Sequence, residues 1–334
     1  MKHIKLGILL LSFILIFVMT GCTNQNSKLV TSSNTESGKL KVIASLFPQY
    51  DFANQIGGDL VETSLILPPG VEAHAFDPTP RDIISISESE IFLYTSDDME
   101  PWVSSLIENI DIKKTQVIDL SKNVTLIKAD HHQEEGETHE ESEAREDEDD
   151  HEEGEEHYDP HYWLDPQNAM IMVADIKAAL VLAMPENEAV FTENADRLIA
   201  ELKALDEEIE GAVSKFESRT ILSGGHFAFG YFAHRYGLEH MSPYNGFSPD
   251  AEPLNQNIQE LIDTIEKSKT NAIFYEELID PRVAETLSEQ TGAKMYLLHG
   301  AHNLSKEELK AGITYVQIMK DNLERLKVGL GYHE

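Results

Sequence analysis

Short β-branched runs alternate with helical patterns along most of this chain. Lys41 to Leu46, Val61 to Leu67, Ile91 to Tyr94 and Val117 to Asp119 read as strands, separated by helix-like stretches near Tyr50, Arg81 and Trp102. A second set has strands at Ile221-Leu222, Ala272 to Tyr275 and Lys294 to Leu298. These alternate with helices through Phe229, Ile262 and Val283 and a last helix from Ser305 to about Lys327. Such alternation is the signature of parallel sheets covered by helices. Between the two sets, Phe191, Ala195, Leu198, Leu202, Leu205, Ile209, Ala212 and Phe216 are spaced alternately by four and three residues, which draws one apolar stripe on a helix. Pro185 suits its first turn, and about 30 residues at 1.5 Å each give a rod of about 45 Å. The expected fold is therefore α/β, with two parallel-sheet lobes (40–184 and 218–334) bridged by one long rigid helix (185–217). A continuous helix between lobes restricts them to small tilts and loop movements, rather than a wide hinge rotation.

The front of the chain follows a different pattern. Lys2 and Lys5 precede an apolar run from Leu6 to Val18, which is too short to span a bilayer comfortably but typical of an export signal core. Residues 1–21 are expected to be that signal. The only cysteine, Cys22, follows Met19-Thr20-Gly21 directly, and this resembles the bacterial lipoprotein cleavage box, in which the cysteine carries the lipid. Residues 22–39 are rich in Ser, Thr and Asn and have no hydrophobic period, as in a flexible tether. The expected location is the extracytoplasmic face of a cell membrane, held by an N-terminal lipid.

Charge narrows the function. Lys plus Arg number 26 against 60 Asp plus Glu, a formal balance of −34, and a field of that sign repels nucleic acid. Residues 130–159 alone hold 17 carboxylates against the single Arg145. This acidic insert also contains His131, His132, His139, His151 and His157, and reads as a disordered, solvated segment able to hold metal weakly and exchange it fast.

In open α/β sheets, ligands bind at the carboxyl ends of strands, and several histidines fall there. His74 lies in the Pro68-Pro69-Gly70 loop after the strand ending at Leu67. His226 ends Ser223-Gly224-Gly225-His226, just after Ile221-Leu222. His302 ends Gly300-Ala301-His302 after Leu298, and His161 lies in Asp159-Pro160-His161-Tyr162-Trp163-Leu164-Asp165-Pro166. Four imidazoles suit tetrahedral Zn²⁺ better than Mn²⁺, which prefers carboxylate-rich octahedra. Neutral ligands leave the ion's charge uncompensated, so a carboxylate is expected close behind them, with Glu276 the first candidate. His299 competes with His302. His234 and His240 read as structural or surface residues, and His333 as part of a frayed tail.

Three segments, His74-Ala75-Phe76-Asp77-Pro78-Thr79-Pro80-Arg81-Asp82, Asp159 to Pro166 and His226-Phe227-Ala228-Phe229-Gly230-Tyr231-Phe232, make the chain resemble the zinc and manganese solute-binding lipoproteins of ABC transporters. The resemblance covers nearly the whole mature chain. It implies two α/β lobes bridged by a long helix, with the metal in the interlobe cleft and His74, His161 and His226 as ligands. In that family the fourth position is Asp, Glu or water, and His302 stands there. Manganese binders replace the third His by Glu, so His226 favours zinc, with a manganese-binding component of the same transporter class as the alternative. The partners implied are an integral-membrane permease and a cytosolic ATPase, with Zn²⁺ as transported ligand and the chain a monomer. An enzyme is disfavoured because no His-Glu-x-x-His helix is present and four protein ligands close the shell. A surface adhesion lipoprotein would fit the tether and charge but leaves the strand-end histidines without a purpose.

Overall fold

The hydrophobic runs do become parallel strands. In the computed structural model, which describes residues 38–128, 157–244, 253–267 and 271–333, the first half contains β1 (Leu40–Ala44), β2 (Val61–Leu65), β3 (Ile91–Tyr94) and β4 (Gln116–Asp119). They form an all-parallel sheet in the order β2-β1-β3-β4. The inner strands are almost continuously apolar because both faces are covered: all of β3 and all of β1 but Lys41 are buried. Crossover helices α1 (Phe47–Gly57), α2 (Pro80–Ser87) and α3 (Trp102–Asn109) supply that cover. The start of α2 is fixed by a capping box, in which the Thr79 side chain accepts from the Asp82 N–H while the Asp82 carboxylate receives the Thr79 N–H, with Pro80 at the first position.

The second half repeats this plan. Strands β5 (Thr220–Leu222) and β6 (Glu239–Met241) pair in parallel, as do β7 (Ala272–Tyr275) and β8 (Lys294–Leu297). A Ser223–Phe274 bridge and the Gly224 N–H donated to Phe274 O at 2.8 Å join the two pairs, so the spatial order is β6-β5-β7-β8, the same as in the first half. Gly224 is required at this joint, since a Cβ there would lie 2.5 Å from that of Ala284. Ala284 belongs to α8 (Arg282–Thr291), which with α6 (Gly230–Tyr236) and α7 (Asn255–Lys267) completes the crossovers.

Helices α4 (Pro166–Ala183) and α5 (Glu188–Val213) carry the chain between halves. Seven of the eight stripe positions are buried on α5, from Phe191 to Ala212. The eighth, Phe216, lies past the helix end and bridges to Tyr332 instead. The linking helix is thus 26 residues, about 39 Å. It packs on α1 and α4 on one side and on α6 and α10 (Tyr315–Gly329) on the other. One continuous hydrophobic cluster runs from Val42 and Phe52 through α4 and α5 to Tyr315 and Leu326, and smaller clusters lie under α2 and α3 and under α7 and α8. A core shared across the halves favours local over hinge motion.

Several expectations are corrected. The last helix is two, α9 (Lys306–Ala311) and α10, because Gly312 takes φ 69° and Thr314 caps a new start by accepting from the Gln317 N–H. Strand β6 was not foreseen, since Glu239-His240-Met241 has no hydrophobic alternation and is largely exposed. The tail at His333 is paired rather than frayed: its N–H donates to Lys215 O, and its Nε2 lies 3.5 Å from Glu217 Oε2. The expected export signal 1–21, Cys22 with residues 22–37 of the tether, and His131, His132, His139 and His151 lie outside the described residues.

Candidate metal centre

Three histidines far apart in sequence converge. One ring nitrogen each of His74, His161 and His226 lies within 4.8 Å of the others, and the Nε2 atoms of His74 and His161 are 3.1 Å apart. Ligands 2.0–2.1 Å from a tetrahedral zinc are about 3.4 Å from one another, so this spacing suits one shared cation. The fold explains the convergence. Both sheets present their carboxyl ends here: His74 follows β2, His226 follows β5, and Glu276 directly follows β7. β5 and β7 flank the point where the strand order reverses in the second sheet, the customary ligand crevice of such sheets.

The loop carrying His161 is held on several sides. The Tyr162 hydroxyl donates to Thr95 O at 2.8 Å, Trp163 Nε1 donates to Gly300 O at 2.8 Å, and the Tyr231 hydroxyl donates to Asp159 O at 2.8 Å. Asp159 Oδ1 accepts from both the backbone N–H (3.0 Å) and Nδ1 (2.8 Å) of His161. Nδ1 therefore carries the proton, which leaves the Nε2 lone pair directed at His74. Burial, then the neighbouring imidazoles, holds His161 well below the usual histidine range and pushes His74 down to about 3, so both are neutral electron-pair donors near pH 7. His226 differs: burial lowers it, but Glu276, whose Oε2 lies 2.8 Å from its Nδ1, outweighs burial and raises it. Burial pushes Asp159 up to about 7 against the lowering effect of its bond from the His161 N–H.

His302 stands beside this triangle rather than in it. It is buried, and neither of its ring nitrogens has a hydrogen-bond partner among the described residues. Its Nδ1 lies 3.6 Å from Glu277 Oε1 and 4.0 Å from Glu276 Oε1. A buried imidazole without partners is costly unless something outside the polypeptide engages it. Its competitor His299 is engaged on one side: Nδ1 accepts from the Ala301 N–H at 3.0 Å beside Glu277 Oε1, while Nε2 has no hydrogen-bond partner among the described residues and lies 3.5 Å from Glu308 Oε1. Between them Ala301 holds φ 57°, a conformation that a non-glycine residue adopts only where its surroundings enforce it. His234 and His240 are exposed, the latter stacked on Phe227 at 4.0 Å. His157, the one insert histidine within the described residues, is exposed with Nδ1 2.9 Å from Asp98 Oδ1.

Glu276 lies beside His226 and His302, and two further carboxyl groups not singled out from the sequence, Asp159 and Glu277, adjoin the histidines. Asp159 was visible in its motif, as an acidic residue two positions before a histidine in a proline-bearing loop. Glu277 carried no signal separable from Glu276. Its carboxylate accepts from the Gly300 N–H at 2.7 Å and sits between His299 and His302, whose influence lowers it despite burial. Together they set three carboxyl groups behind the histidines, of which His74 and His161 are held neutral.

The chain matches the family model described as zinc-uptake complex component A, periplasmic, over residues 42–329. It is 34% identical over 313 residues to the high-affinity zinc uptake system protein ZnuA of Bacillus subtilis, covering 94% of each chain. It is 32% identical over 330 residues to the zinc-binding lipoprotein AdcA of Streptococcus pneumoniae, covering 97% of this chain but only 60% of that relative's length. The crystal structure of the Zn(II)-bound ZnuA-like domain of the pneumococcal AdcA superposes with a TM-score of 0.70 at 30% identity, covering 88% of this chain and 99% of that one. The chain belongs to the zinc-uptake complex component A family.

Proposed function

We propose that this chain captures Zn(II) outside the cytoplasm and delivers it to the permease of an ABC importer driven by a cytosolic ATPase. The observation that carries the reading is the cluster of His74, His161 and His226 nitrogens within 4.8 Å. These three bind the ion and His302 completes the shell, while Asp159, Glu276 and Glu277 offset its charge from behind. An all-imidazole set favours Zn²⁺ over Mn²⁺, and four protein ligands leave no position for an activated water, so the site binds without turning over. The lobes divide at 40–184 and 218–334 about the linker 185–217. The chain acts as a monomer, anchored through a lipid on Cys22.

Titration of the purified mature chain with Zn²⁺, Mn²⁺ and mixtures of the two tests this. One tight equivalent of zinc, not displaced by excess manganese, is the expected result; manganese preference or no tight site overturns the reading. His302→Ala is expected to weaken zinc by about 10- to 100-fold, less than loss of a triangle member, because the other three ligands and a water remain. A second test concerns the acidic insert. Removal of residues 131–157 is expected to keep the tight equivalent and abolish additional weak ones, read as metal content at saturation; loss of the tight equivalent would contradict that division.

A further inference from the structure

We infer that Asn303 is a positioning residue that clamps the His74 loop to the His302 turn, setting how fast the bound metal escapes. The inference rests on the proposed function and deepens it. His74 is the one half-buried member of the triangle, on a stretch between β2 and α2 without regular secondary structure. Locally the Glu72 carboxylate accepts from the His74 and Ala75 N–H groups at 2.9 Å each, and the hydrogen bonds that fasten the front of the stretch come from the opposite half of the chain. Asn303 is fully buried, and its single Nδ2 donates to Pro68 O at 2.8 Å and to Val71 O at 2.7 Å. Beside it the Gly70 N–H donates to Leu304 O at 2.8 Å, with Gly70 at φ 84°.

The amide cannot be turned over. Oδ1 accepts from the Leu304 N–H at 2.8 Å, and rotation by half a turn would set an oxygen against two carbonyls. The amide nitrogen carries two N–H groups, one for each carbonyl. The same turn is tied further into the first half, where the Phe47 N–H donates to His302 O at 3.0 Å. Residues 302–304 therefore hold the loop that bears His74 while presenting His302, and the two ligand-bearing segments move together or not at all. Because the shared core disfavours wide hinge opening, release has to begin at such a joint. The His74 loop, fastened by a few hydrogen bonds rather than by a secondary-structure ladder, is the segment least costly to free.

The test compares Asn303→Ala and Asn303→Ser with wild type in two measurements. The first is zinc transfer to excess chelator. Release is expected to speed up on the order of tenfold or more in Asn303→Ala, since the loop loses both side-chain hydrogen bonds that tie Pro68 O and Val71 O to the His302 turn, and by less in Asn303→Ser, which keeps one donor. In a His74→Ala background, Asn303→Ala is expected to change release less than about twofold, because the clamp acts through His74. The second is hydrogen exchange in zinc-free protein. The Gly70 amide is expected to exchange faster in Asn303→Ala while amides in α5 stay protected, which separates local release from general unfolding. Unchanged Gly70 exchange, or equal acceleration with and without His74, overturns the clamp. Absence of tight zinc binding in wild type would instead sink the proposed function, and Gly70 exchange still decides whether Asn303 holds the loop.

Discussion

His161→Ala is expected to weaken zinc binding by between about a hundredfold and a thousandfold. Structural zinc sites with four ligands contribute about 10–16 kcal/mol, or roughly 2.5–4 kcal/mol per ligand, and each 1.4 kcal/mol is about tenfold. His161 belongs at the upper end of that range because nothing nearby can replace it. It is fully buried, its ring is aimed by Asp159 on Nδ1, and the flanking Tyr162 and Trp163 are bonded to Thr95 and Gly300, so the backbone cannot shift to offer another donor. Asp159→Asn keeps the ligand but loses the charge behind it, and a loss of about 10- to 100-fold is expected there. Competition against a chelator of known affinity measures both. A His161→Ala protein binding within tenfold of wild type would falsify its role as a ligand, provided its thermal midpoint without metal is near that of wild type.

The sequence carried most of what positions these residues. Strand ends were legible because parallel strands buried on both faces are short apolar runs bounded by polar turns, and β3 and β7 matched their expected bounds. The α5 stripe was legible because eight positions repeated one period, and seven of them are buried. What escaped depended on pairing partners distant in the chain. Strand β6 exists because β5 offers an open edge to Glu239–Met241, a tertiary cause with no local hydrophobic trace. The break between α9 and α10 was present as Gly312 with Thr314, but the surrounding polar helix formers masked it.

At the site, single histidines could be proposed from their places after strands, whereas their mutual distance could not. The same limit hid Asn303, whose two acceptors are more than 230 positions away, whereas Asp159 stood in its motif two positions before the histidine it reaches. His302 shows the boundary of motif reasoning. Its segment marked it as a candidate ligand, but the left-handed turn at Ala301 and the contacts with Glu276 and Glu277 set it at the side of the triangle.

Trp163→Ala is expected to cost about 3–5 kcal/mol of stability, the usual range for truncating a fully buried aromatic residue. Trp163 joins the two halves at the level of the site. Its indole N–H donates to Gly300 O, two residues before His302, and its own carbonyl accepts from the Tyr315 hydroxyl, while the Tyr315 N–H donates to Asp51 on α1. Truncation therefore removes core packing and also leaves the Gly300 carbonyl without its donor. Trp163→Phe restores part of the packing: it retains a six-membered ring and loses the indole donor together with the pyrrole ring, and about 1–3 kcal/mol is expected for the donor. For a chain of this size 1 kcal/mol shifts the melting midpoint by about 2–4 °C, so the metal-free Trp163→Ala protein should melt on the order of 10 °C below wild type, and Trp163→Phe in between. Equal midpoints for the two variants would show that restoring a six-membered ring recovers no stability and remove its packing from the account. A drop under about 3 °C for Trp163→Ala would mean that the joint beneath His161 is not a structural link at all, and the rigidity on which slow metal escape depends would have to come from α5 alone.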